Sequence, residues 1–373
     1  MKKGKVALLG RPNVGKSTLL NALLGEKIAI ISDKPQTTRT TILGIKESAA
    51  GQIIFIDNPG IHRPLHKLNQ RMMHLVLASL ETADLLCLLV DATQSFGQGD
   101  RFVLQLLSKT TRPVFLLLNK VDIVRKDKIL PLIAHYKDLF PFKEIIPISA
   151  LKGINLDSLE RAILAYLPET EAAAAVEPKP QLSLRFQVAE IIREKLLRQV
   201  EDELPFVTAV YTERIEDRAS GQRLEDSDFL ALREKKRANS AGVEKTLATV
   251  DEENRKLPKK SKKREEMAPG PEPLGTKNRK NKARARQGLI FIKAYIFVEK
   301  ATQVGIVVGH GGQRLKQIGA EARRELEELL GAKIFLELAV KVKERWRDKP
   351  DVLDLIEGQK EGLAGTKATP GED

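Results

Sequence analysis

A chain of 373 residues can hold two domains of ordinary size, and a hydrophobic share of 42% can build a packed core in each. A formal net charge of +13 favours a polyanionic partner, either nucleic acid or an anionic membrane surface. One cysteine, Cys87, excludes an intramolecular disulfide, and no apolar run approaches the ~20 residues of a membrane-spanning helix. Cys87 lies inside an apolar run and reads as a small core residue.

The first apolar run, 6–9, is too short for the core of a signal peptide, so a cytoplasmic protein is expected. Short continuous apolar runs recur at 5–9, 52–56, 85–90, 114–118 and 144–148, separated by helical or loop segments. Continuous rather than alternating runs suit a parallel sheet covered on both faces. The strand–helix alternation predicts a doubly wound α/β domain over 1–168, closed by a helix at 156–167. An alanine- and proline-bearing stretch, 169–180, reads as a linker.

The second half predicts an α+β domain over 181–355. Apolar spacing gives a helix at 186–200, and alternation gives a strand at 206–215. Residues 217–287 then interrupt the pattern, with a short helix possible only at 226–237. Between 255 and 286 stand thirteen Lys or Arg against three acidic residues, and the segment is too polar to bury a core, so disorder is expected. A strand at 289–298, a helix at 302–307, a long helix to about 330 and a strand at 333–342 complete the domain. The polar, glycine-rich end, from about 351, reads as a tail, flexible over 356–373.

The chemistry sits at the strand ends. Gly10, Arg11, Pro12, Asn13, Val14, Gly15, Lys16 and Ser17 fit G-x-x-x-x-G-K-[ST] between a strand and a helix. The glycines let backbone N–H groups surround phosphates, Lys16 neutralises the β- and γ-phosphates, and Ser17 offers a hydroxyl to Mg²⁺. Asp57, Asn58, Pro59 and Gly60 follow the second run. Asp57 is placed to reach Mg²⁺, and the Gly60 N–H to sense the γ-phosphate. Asn119, Lys120, Val121 and Asp122 follow the fourth run. The Asp122 carboxylate accepts from guanine N1–H and the exocyclic amine, which adenine cannot match. Asn119 braces the site, the Lys120 stem lies over the base, and the backbone at Ala150, between Ser149 and Leu151, meets guanine O6. The expected ligand is therefore GTP or GDP.

In the loop 32–41, Thr38 is favoured as the hydroxyl that completes the Mg²⁺ shell, with Thr37 and Thr40 as alternatives. Catalysis thus falls to Lys16, Asn13, Thr38 and Gly60. The position after Gly60, where many GTPases orient water with Gln, is Ile61, and His62 and His66 read as solvated. That leaves a monovalent cation, with Asn13 supplying an oxygen to K⁺ beside the phosphates.

Gly309, His310, Gly311 and Gly312 form a G-x-x-G loop between two helices, with Arg314 and Lys316 just behind it. In the order α, β, β, α, α, β this predicts a type II KH domain, whose loop clamps the backbone of single-stranded RNA. The basic tract 255–286 reads as a sequence-independent arm on RNA phosphates.

On these motifs the chain resembles the Era family of bacterial GTPases over nearly its whole length. The resemblance rests on the loop 10–18, residues 36–39, N-K-x-D, S-A-x-K-G, the G-x-x-G segment and the run 336–346. It implies GTP hydrolysis, binding near the 3′ end of 16S rRNA, and a role in 30S ribosomal subunit assembly. It also implies peripheral association with the inner membrane; a monomer is expected. Asn58 stands where the family usually has Thr, and His310 where its loop commonly has Lys. The insertion 217–287 is outside the resemblance. The competing reading is a membrane-surface GTPase whose basic arm binds anionic lipid.

Overall fold

The computed structural model describes residues 1–170, 182–218, 220–226, 228 and 289–359. Most of the linker, nearly all of the candidate helix 226–237, the basic tract and the tail beyond 359 lie outside the described residues.

Six strands form the first sheet: β1 (Lys2–Leu9), β2 (Ile42–Ser48), β3 (Gly51–Asp57), β4 (Leu85–Asp91), β5 (Val114–Asn119) and β6 (Glu144–Pro147). Their order is β2-β3-β1-β4-β5-β6. The five expected strands pair in parallel, and β3, β4 and β5 are buried along their whole length, as continuous apolar runs require. Helices α1 (Lys16–Leu24) to α5 (Leu156–Tyr166) divide between the faces, and two apolar clusters fill the two sides of the sheet. Between them come α2 (Lys67–Thr82), α3 (Gln98–Leu107) and α4 (Lys126–Leu139). Sequence reading missed β2, which pairs antiparallel with β3 and makes the sheet mixed. As an edge strand it needs apolar side chains only where it meets α1, so its run is short and ends in Lys46, Glu47 and Ser48.

The second domain has α6 (Leu184–Gln199), a single turn α7 (Leu204–Val207), β7 (Ala209–Asp217), β8 (Leu289–Val298), α8 (Ala301–Val308), α9 (Gln313–Leu330) and β9 (Lys333–Val342). The order is β7-β8-β9, antiparallel then parallel. Ile290, Ile292, Ala294 and Ile296 of β8 pack on Ile192 and Leu196 of α6 and on Ile318, Ala322 and Leu326 of α9.

Three boundaries move. The strand expected at 206–215 begins at Ala209, because Pro205 opens a helical turn that takes in Phe206. The insertion does not leave the fold at 217: Arg218 N bonds Leu289 O, and Leu224 folds back to bond Ile215 O and pack on the core. Finally, the expected tail starts as a helix, α10 (Pro350–Glu357), and Gln359 beyond it is buried, with its Oε1 accepting from Thr212 N at 2.7 Å. Val352 and Leu353 of α10 pack with Trp346 and with Leu68 and Met72 of α2, which joins the two domains.

Candidate active site and nucleic-acid interface

β1 is the strand at which the order of the first sheet reverses, with β3 on one side and β4 on the other. The crevice beyond the carboxyl end of such a strand is where ligands bind in open α/β sheets. The loop 10–17 occupies it. Gly15 has φ +101°, and a Cβ there would lie 2.3 Å from Asn119 Nδ2, so glycine is required. Gly60 sits just as tightly, its missing Cβ 2.7–2.8 Å from the Pro12 ring and backbone, while Ile61 N donates to Gly10 O at 3.0 Å. The two phosphate-facing segments are thereby locked together.

Lys16 is 5% exposed and donates to the Gly10 and Arg11 carbonyls at 3.2 and 2.9 Å, which curls the loop around its ammonium. Burial, opposed by the charge of Asp57, pushes its pKa down to about 8. Ser17 Oγ donates to Asp57 Oδ2 at 2.6 Å and lies 2.8 Å from Thr38 Oγ1. Burial, opposed by Lys16 and by bonds from Ser17 and Thr38, raises Asp57 to about 6. Its second oxygen, Oδ1, is buried without a hydrogen-bond partner. Two hydroxyls and a carboxylate with an unpaired buried oxygen fit a hard, oxygen-seeking cation, so Ser17, Thr38 and Asp57 are the residues that would hold Mg²⁺. Among the three candidate threonines it is Thr38 that turns inward; Thr37 Oγ1 donates instead to Lys34 O at 2.6 Å.

The base end is built from β5. Asn119 Nδ2 donates to Val14 O at 2.8 Å, and its Oδ1 accepts from Ala150 N at 2.9 Å, so one side chain ties the phosphate loop to the 149–151 loop. Lys120 has φ +68° and bonds Asp91 Oδ2 at 2.7 Å, which stretches its stem across the site. Burial works against the Asp91 charge, but bonds from Lys120 and Thr93 win and hold its pKa low. Val121 and Asp122 begin a 3-10 turn with the Asp122 side chain exposed. Leu151 is 76% exposed and Ser149 buried, its Oγ accepting from Lys152 N at 3.1 Å.

Some assigned residues face away from the ligand side. Asn58 points into the protein, bonded to Ser79 Oγ at 2.7 Å, and so offers the site only backbone, as does Pro59, which is buried. Arg11 is paired with Asp100 at 2.9 Å. Asn13, at φ +64°, spends its amide N–H on Asp33 O, so the side chain's remaining polar atom is an acceptor. Ile61 is 2% exposed in the core, so no water-orienting group stands there. His62 is not a solvated residue: Nδ1 lies 2.8 Å from Gly60 O and Nε2 3.1 Å from Gln36 Nε2, linking the two loops.

Residues that the sequence did not single out complete the surroundings. Asp91 is a buried carboxylate at the end of β4, a signal that was available, and Asp100 is a buried carboxylate in the first turn of α3. Arg39 and Trp346, which lie inside runs that carried the resemblance without a role assigned to them, and Arg193 join the loop 32–41 to the second domain.

In the second domain Gly309, Gly311 and Gly312 have φ of +75°, +55° and +77° and connect α8 to α9. A Cβ on Gly309 would lie 2.7 Å from Arg314 Cβ. Arg314 donates back to Ile306 O, clamping the loop, while His310 and Lys316 stand beside it. The loop presents backbone N–H groups at the start of an 18-residue helix, a favourable end for an anion.

Residues 5–120 match the family model described as a 50S ribosome-binding GTPase, and residues 277–347 match the KH domain model. The chain is similar to a crystal structure of Era in complex with MgGDPNP and nucleotides 1506–1542 of 16S ribosomal RNA. The match has 35% identity and a TM-score of 0.74 over 95% of this chain and 98% of that one. It is equally similar to a single-residue variant of Aquifex aeolicus Era bound to GDP·AlF4⁻, with 35% identity and a TM-score of 0.73 over 95% and 99% of the two chains.

Proposed function

The chain belongs to the Era family of GTPases, and from that membership we propose that it binds 16S rRNA near its 3′ end and acts in 30S ribosomal subunit assembly and rRNA maturation. The observation that carries the reading is the pairing of two complete sites on one chain. Lys16, Ser17, Thr38 and Asp57 converge at the end of the first sheet, and a G-x-x-G loop joins two helices of a KH domain. The family model that refers to the large subunit stops at residue 120, before the RNA-binding domain. The 16S match spans both domains, so the small subunit is the partner we assign.

In hydrolysis, water attacks the γ-phosphorus of GTP, and GDP and phosphate leave. Lys16 and the backbone N–H groups of 13–17 hold the phosphates in line, and the Gly60 N–H meets the γ-phosphate. Mg²⁺, when bound, neutralises developing charge on the phosphate oxygens. Asp122 selects guanine. Because Ile61 is packed in the core, we assign the remaining charge stabilisation to K⁺, with an oxygen of Asn13 as one ligand. Turnover higher in K⁺ than in Na⁺ for the wild type, and equal in both for Asn13→Ala, is the expected result; equal wild-type rates in both salts would remove this assignment.

On the RNA side, Gly309–Gly312 clamp the sugar–phosphate backbone, and Arg314 and Lys316 add charge. We place the protein in the cytoplasm, as a monomer. The test is cross-linking to rRNA in cells, comparing the wild type with a variant whose G-x-x-G glycines are replaced. Cross-links near the 3′ end of 16S rRNA that vanish in the variant are expected. Sedimentation with anionic liposomes but not with small subunits would favour a membrane-surface role instead.

A further inference from the structure

We propose that Arg39 is a positioning residue that makes the placement of the Mg²⁺-ligating Thr38 and the docking of the KH domain a single event. The inference rests on the GTPase reading of the site. Thr38 turns inward, its hydroxyl 2.8 Å from Ser17 Oγ. The neighbouring groups turn the other way. Arg39 reaches out of the first domain, donating from Nη1 to Thr208 O and from Nη2 to Pro205 O, both at 2.7 Å. Its guanidinium lies 5.6 Å from the centre of the Trp346 ring, and Trp346 Nε1 donates to Val207 O at 2.7 Å. Arg39 and Trp346 therefore share one run of carbonyls, 205–208, at the end of α7. On the other flank, Thr37 O accepts from Nη2 of Arg193 in α6, which is itself paired with Glu190. Thr38 is held from both sides by groups that belong to, or bind, the KH domain.

The geometry also explains how the contact lets go. Arg39 Nε and Arg193 Nη1 are buried without hydrogen-bond partners. Arg193 brings a second guanidinium to the same loop, and the carboxylate paired with it is Glu190, whose two oxygens accept from Arg193 Nε and Nη2 at 2.7 Å. An interface that buries two cations with donors left over is less stable than its area suggests. Whatever holds the loop 32–41 inward adds to it, and a metal and γ-phosphate at Thr38 would be placed to do that. Arginine is suited to the position because its planar fork spans two carbonyls and stacks on an aromatic ring, which a lysine ammonium cannot do.

Trp346 is the chain's one tryptophan, so its emission reports this contact directly. The test uses the full chain, with Arg39→Ala and Arg39→Lys beside the wild type. Tryptophan emission is compared with GDP and with a non-hydrolysable GTP analogue, and the Mg²⁺ concentration for half-maximal analogue binding is measured. The wild type is expected to show different emission with the two nucleotides. Arg39→Ala should lose that difference and need at least about fivefold more Mg²⁺, the low end of ordinary site–site coupling. Its GDP affinity should stay unchanged, which verifies that the first domain is folded. Its kcat should fall with little change in KM, and Arg39→Lys should fall between. An Arg39→Ala protein that keeps both the emission difference and the wild-type Mg²⁺ requirement would overturn the proposal while leaving the GTPase reading intact. A wild type that binds no guanine nucleotide would overturn both.

Discussion

At the scale of single residues, the nucleotide site is a set of groups whose ordinary charge states are disturbed until a ligand arrives. Lys16 has been pushed down to about 8 by burial, so between pH 8 and the usual lysine value the unfolded chain holds a proton that the folded loop has shed. Stability of the nucleotide-free protein therefore rises with pH across that window. Asp57 has been raised to about 6 by burial, so between about pH 4 and 6 the folded state holds the extra proton, and stability falls as pH rises there. Phosphates restore the Lys16 charge. GDP binding at about pH 8.5 should then take up most of a proton, measured by calorimetry in two buffers of different ionisation enthalpy; zero uptake would contradict it. Asp122 yields a second prediction. Its Asn variant has one acceptor and one donor where guanine presents two donors, so guanine affinity should drop about a hundredfold or more. Xanthine, with a carbonyl in place of the amine, should bind the variant better than guanine does in competition with a labelled nucleotide. All of these groups were legible in the sequence because the chemistry fixes both residue type and place, at the end of a strand. Arg39 was not. Its neighbours in the motif act locally, whereas its partners, Pro205 and Thr208, lie more than 160 positions away.

At the scale of elements, the G-x-x-G loop shows that its glycines are not equivalent. Gly309 combines φ +75° with a Cβ clash against Arg314 at 2.7 Å, whereas Gly311 and Gly312 have positive φ but open space around the missing Cβ. Gly309→Ala should cost about 1–3 kcal/mol of local stability and weaken RNA binding. Gly311→Asn, a residue that tolerates the left-handed region, should leave the melting temperature unchanged. Thermal unfolding and RNA titration of the two variants check this, and equal effects would refute it. The elements that sequence reading missed have a common cause. β2 is apolar only where α1 covers it, and α10 carries a narrow apolar stripe, Val352, Leu353 and Ile356, in a polar string. Periodicity detects a broad apolar face. It does not detect one only two or three apolar residues wide, whether its cover is in the same domain, as α1 is for β2, or in the other, as α2 is for α10. The reverse holds for α9, whose Ile318, Ala322 and Leu326 repeat at i, i+4 against the local sheet and were readable at once.

For the whole molecule, the question is what makes two domains with separate cores behave as one. Among the described residues, contacts on two further sides do so besides the Arg39 clamp. On one side Lys27 bonds Glu194 of α6 and, at 2.7 Å, Glu325 of α9, and Glu194 is only 1% exposed. On the other, Leu68 and Met72 of α2 enter an apolar cluster with Ala209, Tyr295, Phe297, Trp346, Val352 and Leu353. Since α2 directly follows the 57–67 loop, this seam ties the far end of that loop to the second sheet. Arg71 adds pairs to Asp354 and Glu357 at 2.7 and 2.9 Å, but these carboxylates are 68% and 45% exposed and contribute little. The apolar contacts carry the seam, at about 1.5–3 kcal/mol for each large side chain fully buried. Ending the chain after Lys349 removes Val352, Leu353, both partners of Arg71 and the buried Gln359 that bonds Thr212 of β7, while keeping every residue of the two apolar clusters of the first domain and of the α6–β8–α9 core. The full chain should therefore unfold in one calorimetric transition and the shortened chain in two, the first at lower temperature. GTP should then raise only the transition of the first domain, because a ligand stabilises only what remains coupled to its site. A single, nucleotide-sensitive transition in the shortened chain would show instead that Arg39 and Lys27 suffice to couple the domains without the seam.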